Sequence, residues 1–197
     1  MAEITTQTVY FKEKGEANTA RVLELARERA EALGIQTILV ATTSGKTGAD
    51  AARCFQGFNL VVVTHSTGFR KPNFQELKPE HRAVIEALGG KILTCQHALG
   101  GVSRAVRKKF GTYELDEIIA NTLRIFGQGM KVIQEIALMA ADAGLVRTDQ
   151  PAVVIAGTDH GADTACVVLP AHAQTFFDLR ILEVICWPAP EHPAFRR

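Results

Sequence analysis

The chain has 197 residues, of which 47% are hydrophobic and 22% charged, with a formal net charge of +1. This length fits one large domain, and the composition is that of a packed core rather than of a disordered segment. Near-neutrality gives no electrostatic basis for binding nucleic acid or an anionic membrane.

Thr8–Phe11 reads as a short strand. Asn18 or Thr19 caps a helix running to Leu33, with Val22, Leu23, Ala26, Ala30 and Leu33 on one stripe and Gly34 as its stop. Thr37–Ala41 is a second strand, and the helix-compatible segment Ala49–Arg53 follows its loop. Leu60–Thr64 is β-branched without alternation, as in a strand covered on both faces. Lys78–Leu88 is predicted as a helix with Pro79 in its first turn and Gly89-Gly90 after it, and Lys91–Thr94 returns as a strand.

Between His97 and Gly144 the pattern is helical throughout: a basic helix over 102–110, another over 115–126, and a third over 130–143 after the break Gly127-Gln128-Gly129. Its basic cluster, Arg104, Arg107, Lys108 and Lys109, reads as a solvated helix face, with anion binding by its nearer members as the alternative. Ala152–Thr158, Ala165–Leu169 and Ile181–Trp187 complete the strands. They are joined without helices, so at least one runs antiparallel. Alternation of apolar runs with amphipathic segments is the pattern of an α/β layer fold in a single domain, 1–197.

Met1–Thr8 lacks a basic region followed by an apolar one, so no signal peptide is expected there. The apolar stretch Gly129–Val146 carries Lys131, Glu135 and Asp142, which argues against a membrane span. Cys54, Cys95, Cys166 and Cys186 show no C-x-x-C spacing and sit among apolar residues. They are expected to be small buried hydrophobes in a reducing compartment, hence a cytoplasmic protein with no metal site.

Ligands of open α/β sheets bind beyond the carboxyl ends of parallel strands. The loop Thr42-Thr43-Ser44-Gly45-Lys46-Thr47 joins the second strand to its helix, where backbone N–H groups, hydroxyls and a lysine suit a phosphate. A helix merely capped by Thr47 is the plainer alternative. The loop is not a nucleotide-kinase P-loop, because Val40 stands where that motif needs glycine.

The third strand leads from Thr64 into His65-Ser66-Thr67-Gly68-Phe69-Arg70, where Thr67-Gly68 reads as a turn and Phe69 as a ring that could stack on a planar ligand. The fourth leads to His97, read as either a structural or a functional residue. Asp159-His160-Gly161-Ala162-Asp163-Thr164 could reach the same rim; bonding to its own backbone is the favoured reading, with acid–base chemistry or a metal site as the lesser ones, the metal lacking a second His or Cys pair. Phe176 and Phe177, near His172 and Asp178, are expected to be buried in the core or a dimer, with a pocket wall as the minor option. Lys131 and Glu135 read as an i, i+4 helix-stabilising pair.

Ile38–Arg53, with its T-x-S-G-[KR]-[ST] core, resembles the effector-phosphate loop of the pyruvate kinase carboxy-terminal domain. Thr64–Phe69 (THSTGF), Phe126–Glu135 (FGQGMKVIQE), Met139–Gly144 (MAADAG), Gly161–Thr164 (GADT) and Pro170–Asp178 (PAHAQTFFD) are similar to a stand-alone family of pyruvate kinase alpha/beta domain-like proteins of archaea and bacteria. The resemblance implies a three-layer α/β/α sandwich with a mostly parallel sheet and antiparallel pairing near the C-terminus. It also implies a ligand of the FMN type whose phosphate sits on Ser44–Thr47, with Thr67, Gly68 and Phe69 near the ribityl chain or ring and Gly161–Thr164 close by.

Pyruvate kinase activity is not expected, because that chemistry belongs to a TIM barrel of about 250 residues. The expectation is a cytoplasmic, homo-oligomeric protein that binds a small phosphorylated ligand, with a flavin-dependent oxidoreductase or a sugar-phosphate sensor as alternatives.

Overall fold

The computed structural model describes residues 1–195. Among these, seven strands form one sheet: β1 (Val9–Phe11), β2 (Thr37–Thr42), β3 (Asn59–Thr64), β4 (Lys91–Leu93), β5 (Ala152–Ala156), β6 (Thr164–Leu169) and β7 (Arg180–Pro188), in the order β1-β7-β6-β5-β2-β3-β4. The helices are α1 (Thr19–Leu33), α2 (Lys46–Cys54), α3 (Pro79–Ala87), α4 (Val102–Phe110), α5 (Leu115–Leu123) and α6 (Gln128–Asp142).

β6 runs antiparallel to both its neighbours, β5 and β7, while every other pairing is parallel. The sheet is therefore mostly parallel with antiparallel pairing near the C-terminus. The absence of a crossover helix between β5, β6 and β7 is what allows the reversal.

Two cores cover the sheet and make three layers. Ile38, Val40, Val62, Val153 and Ile155 pack with Val22, Ala26, Ala52 and Ile85 of α1, α2 and α3 and with Phe55 just after α2. Leu39, Val61, Val63, Val154 and Cys166 point the other way, against Ile133, Ile136, Ala137 and Ala140 of α6. Successive strand residues thus alternate between two buried faces, which is why β2 and β3 read as unbroken apolar runs. α5 packs on α6 and α4 on α5, an annex beside the sandwich rather than part of its layers.

Several predicted boundaries shift by one to three residues. The strand expected to reach Thr158 ends at Ala156. The third helix of the annex region starts at Gln128 rather than Met130. The chain breaks at Gly127 (φ +105°) alone; Gly129 lies inside the helix, where glycine is needed because a Cβ would strike the Thr164 hydroxyl. The segment 124–126 leaves α5 as a separate 3-10 turn.

Cys166 and Cys186 are fully buried core residues, and burial pushes the Cys186 thiol up to about 12. Cys54 and Cys95 are half-buried. Phe176 is half-buried, whereas Phe177 is 83% exposed, so the expected burial in the chain's own core does not occur for that ring. No helix among the described residues is long and apolar enough to cross a membrane.

Candidate phosphate-binding site

β2 connects to β3 on one side of the sheet, and its other neighbour β5 connects to β6 on the opposite side. The loops leaving β2 and β5 therefore diverge, which opens a crevice between them. A cavity of about 670 Å³ occupies this crevice, floored by Thr42, Val63 and Thr64 and walled by Val132, Ile136 and Met139 of α6.

Thr42–Thr47 forms one end. Gly45 takes φ +94°, which favours glycine, and a Cβ there would run into the Leu77 and His81 side chains. α2 begins at once, with Gly45 as N-cap and no side-chain cap from Thr47, contrary to the capping alternative. The Thr42 hydroxyl does that work from below, accepting from the Gly45 N–H at 3.1 Å and the Gly48 N–H at 3.4 Å. The loop is braced by the Lys78 N–H, which donates to the Ser44 carbonyl at 3.0 Å.

The Lys46 and Thr47 amides lie in the first turn, where no intrahelical acceptor exists, and they meet no other acceptor among the described residues. Two N–H groups at the positive end of the helix are thus free for an anion. Lys46 itself is exposed and already engaged, with Nζ 3.0 Å from Glu16 Oε1 and 3.6 Å from Asp50 Oδ2. The hydrogen bond to Glu16 raises its pKa, so it is a full cation.

Across the cavity stand His65, Phe69 and His97. Phe69 stacks on His97 (5.0 Å between centroids, 18°) and lies 4.2 Å from His65, while the Arg104 guanidinium sits 4.8 Å from its ring centre. The Phe69 ring is thus already part of an aromatic cluster. His65 Nδ1 is 2.7 Å from Glu76 Oε2, and burial, outweighing that carboxylate, lowers the His65 pKa. Thr67 and Gly68 are exposed in a turn closed by the Gly68 N–H donating to the Phe74 carbonyl, with Gly68 at φ +84°. Neither lines the cavity.

His97 is held from both sides. The Ser66 N–H donates to its Nε2 at 3.4 Å, which puts the ring proton on Nδ1, 3.5 Å from Glu135 Oε2. The same carboxylate meets Lys131 Nζ at 2.5 Å, and its Oε1 accepts from the Leu99 N–H at 3.1 Å. Both members of the Lys131–Glu135 pair are buried in a helix that is apolar nearly all round. Burial acts to raise the Glu135 pKa, but the His97 hydrogen bond and the Lys131 charge outweigh it and hold Glu135 down at about 2. Burial lowers the Lys131 pKa.

The i, i+4 pair expected for these two residues is present, but it is buried and extended into a network with His97 and the Leu99 amide. The signal was present: charges inside a segment apolar on every face have nowhere to go but inward. Glu16 and Gln128 also line the cavity, and nothing in the local sequence marks them.

Gly157, Asp159, His160 and Gly161 close the cavity. Asp159 and His160 are exposed at its mouth, Asp159 at φ +59°. Ala162, Asp163 and Thr164 lie behind it. The Ala162 N–H donates to the Thr19 hydroxyl, and Asp163 Oδ2 accepts from the Gly15 and Thr158 amides at 2.8 and 3.1 Å. The Thr164 hydroxyl donates to Asp163 Oδ1 at 2.7 Å. Asp163 thus ties the N-terminal loop to the β5–β6 connection. Asp163→Asn presents an amide donor to one of these three donors and is expected to cost about 1–2 kcal/mol, read as a lower urea midpoint with unchanged slope.

Of the residues read from the sequence, Thr42, Thr43, Ser44, Lys46, Thr47, Thr64, Phe69, His97 and Gly161 meet around one cavity, and Gly45 shapes it from behind. The model of the pyruvate kinase alpha/beta domain matches residues 20–168, which span the sheet from α1 to β6 and carry this site. The chain belongs to the pyruvate kinase alpha/beta domain family. Within that domain the matched segment contains the loops after β2, β3, β4 and β5, so the family match and the cavity cover the same elements.

Two solved structures show low likeness. NH3-dependent NAD synthetase from Campylobacter jejuni subsp. jejuni, in complex with nitrate, is 14% identical over 72% of this chain and 56% of that one, with a TM-score of 0.37. An O-ureido-L-serine synthase variant with O-ureido-L-serine bound is 20% identical over 69% and 49%, with a TM-score of 0.31. The chain spans about half the length of these proteins, and neither likeness bears on function.

Proposed function

We propose that this protein binds a small phosphorylated ligand, with FMN as the ligand that suits the cavity and the family resemblance, and that it has no pyruvate kinase activity. The observation that carries this reading is the pair of unpartnered amides of Lys46 and Thr47, set among the Thr43 and Ser44 side chains. A phosphate there would receive backbone hydrogen bonds without displacing any internal one.

The rest of the cavity supports a planar, partly apolar group. Its volume of about 670 Å³ falls in the range that holds a small organic ligand. Val132, Ile136 and Met139 offer apolar surface in the same cavity as His65, Phe69 and His97, whose rings supply aromatic and polar contacts. FMN would bring a redox-active ring, and this chain's part is to fix its phosphate and shield the ring from water.

The absorbance spectrum and mass of whatever co-purifies test the reading most directly. A flavin spectrum, or saturable binding of added FMN by the stripped protein, supports it. A colourless protein indifferent to FMN and to sugar phosphates sinks it. A Lys46→Ala protein should bind FMN a few-fold more weakly and riboflavin unchanged, checked by flavin fluorescence titration. The loss is small because Lys46 is exposed and shares its charge with Glu16 and Asp50.

A second reading, a flavin-dependent oxidoreductase, is favoured by one observation: His97 faces the cavity with its tautomer fixed by Glu135 and Ser66. Bleaching of bound flavin by a nicotinamide donor would favour it over storage or binding. Exposed Val102, Phe110, Leu115, Ile118 and Ile125 on the α4–α5 annex support a homo-oligomer, for which light scattering is the check.

A further inference from the structure

A second cavity, of about 390 Å³, opens between α4, α5 and the start of α6. Arg104, Arg107 and Arg124 line it with Glu117, Tyr113 and Asn121, and Gln128 belongs to both this cavity and the first. Three guanidiniums face one carboxylate.

The partners of those arginines differ sharply. Arg107 is spent: its Nε donates to Glu117 Oε1 at 2.8 Å, and its guanidinium lies 5.3 Å from the Tyr113 ring centre. Arg124 has only neutral partners, Asn121 Oδ1 at 2.8 Å and Gln128 Oε1 at 3.0 Å. Arg104 makes no hydrogen bond or ion pair among the described residues, and its buried Nε is left without a partner. Its guanidinium lies over the Phe69 ring, which lines the first cavity.

Two positive charges are therefore uncompensated in a half-enclosed space, and they also act on buried Lys131, which lies close enough for both to oppose its charge. A half-buried arginine whose buried Nε–H has no acceptor is costly unless something else meets it. Guanidiniums are matched best by oxyanions that accept two parallel hydrogen bonds.

We infer that the Arg104–Arg124 cavity is a binding site for a small dianionic oxyacid, a dicarboxylate or a phosphate monoester, held beside the ligand of the first cavity. Arg104 would supply the free fork and Arg124 the second charge, while Arg107 stays with Glu117 and keeps the cavity in shape. Gln128 lines both sites and Arg104 lies over Phe69 of the first, so the second anion would lie next to the aromatic cluster rather than on a remote surface. The inference is independent of which ligand fills the first cavity.

Calorimetric titration of the full chain with succinate and with glycerol 3-phosphate tests this. At least one probe should bind one-to-one, with affinity that falls as salt rises. Arg104→Gln and Arg124→Gln should each weaken that binding roughly tenfold or more, with melting temperatures close to the parent because neither arginine holds an ionic partner. Gly45→Ala, which damages the first cavity, should leave it intact. Succinate alone would mark a carboxylate site, and glycerol 3-phosphate alone a phosphate site. No binding of either probe at millimolar concentration overturns the inference. So does binding that survives both arginine changes, or that is lost with Gly45→Ala and therefore belongs to the first cavity.

Discussion

A Gly45→Ala protein is expected to lose affinity for FMN by roughly tenfold to a hundredfold, the worth of one to two charge-assisted hydrogen bonds, and to melt lower. The cause is local. Gly45 holds φ +94°, and its Cα faces Leu77 and His81 so closely that a Cβ would sit 2.6 Å from the His81 Cβ. An alanine must either strain the backbone or push α3 away, at a combined cost of about 2–4 kcal/mol.

Relief of that strain would turn the turn itself, and with it the directions of the Lys46 and Thr47 amides. For a chain of this length such a cost lowers the melting temperature by about 5–15 °C. Flavin titration and thermal melting measure the two effects separately. A Gly45→Ala protein that binds FMN as well as the parent would show that the amides of this turn hold no phosphate.

Lys131→Met carries the largest expected loss of stability. It leaves the Glu135 carboxylate buried with only His97 and the Leu99 amide to meet it. Removing one partner of a buried pair costs about 3–5 kcal/mol, chiefly through the charge left behind, whereas replacing both by apolar residues is often nearly neutral. Lys131→Met combined with Glu135→Leu should therefore recover most of the melting temperature lost by the single change. If the double variant is no better than the single, the network contributes more than mutual charge compensation.

The same pair shapes the acid limb of stability. Glu135 is held at about 2 in the folded protein, below an ordinary glutamate. The unfolded chain takes up this proton first as pH falls, so the contribution is complete above about pH 4.5. It is lost progressively down to about pH 2, and amounts to about 3 kcal/mol. Urea midpoints measured down that range should fall more steeply for the parent than for the double variant.

The layer order, the mostly parallel sheet and the reversed strand near the C-terminus were legible because β2, β3 and β5 are apolar on both faces and β5, β6 and β7 lack crossover helices. The loop that ends β2 and opens α2 beside the cavity was legible because glycine, hydroxyls and a lysine follow a strand directly. What failed were readings of side chains whose meaning depends on a distant partner. Thr47 was a reasonable cap by position, yet Thr42 from the preceding strand takes that role. Asp163 does bond its own loop through the Thr158 amide, as one reading had it, but its second amide partner, Gly15, was out of reach of local sequence.

The sequence by itself determined the α/β architecture and the rim of loops, since periodicity, turn chemistry and strand-end composition are local properties of the chain, while the family rested on likeness of several motifs to known proteins. Only the tertiary structure decided that Lys131, Glu135 and His97 form one buried network, that Glu16 pairs with Lys46, and that Arg104 stands without an ionic partner beside Phe69. Each of those facts depends on residues tens of positions apart meeting in a space of low dielectric, where burial rather than spacing sets what a charge can do.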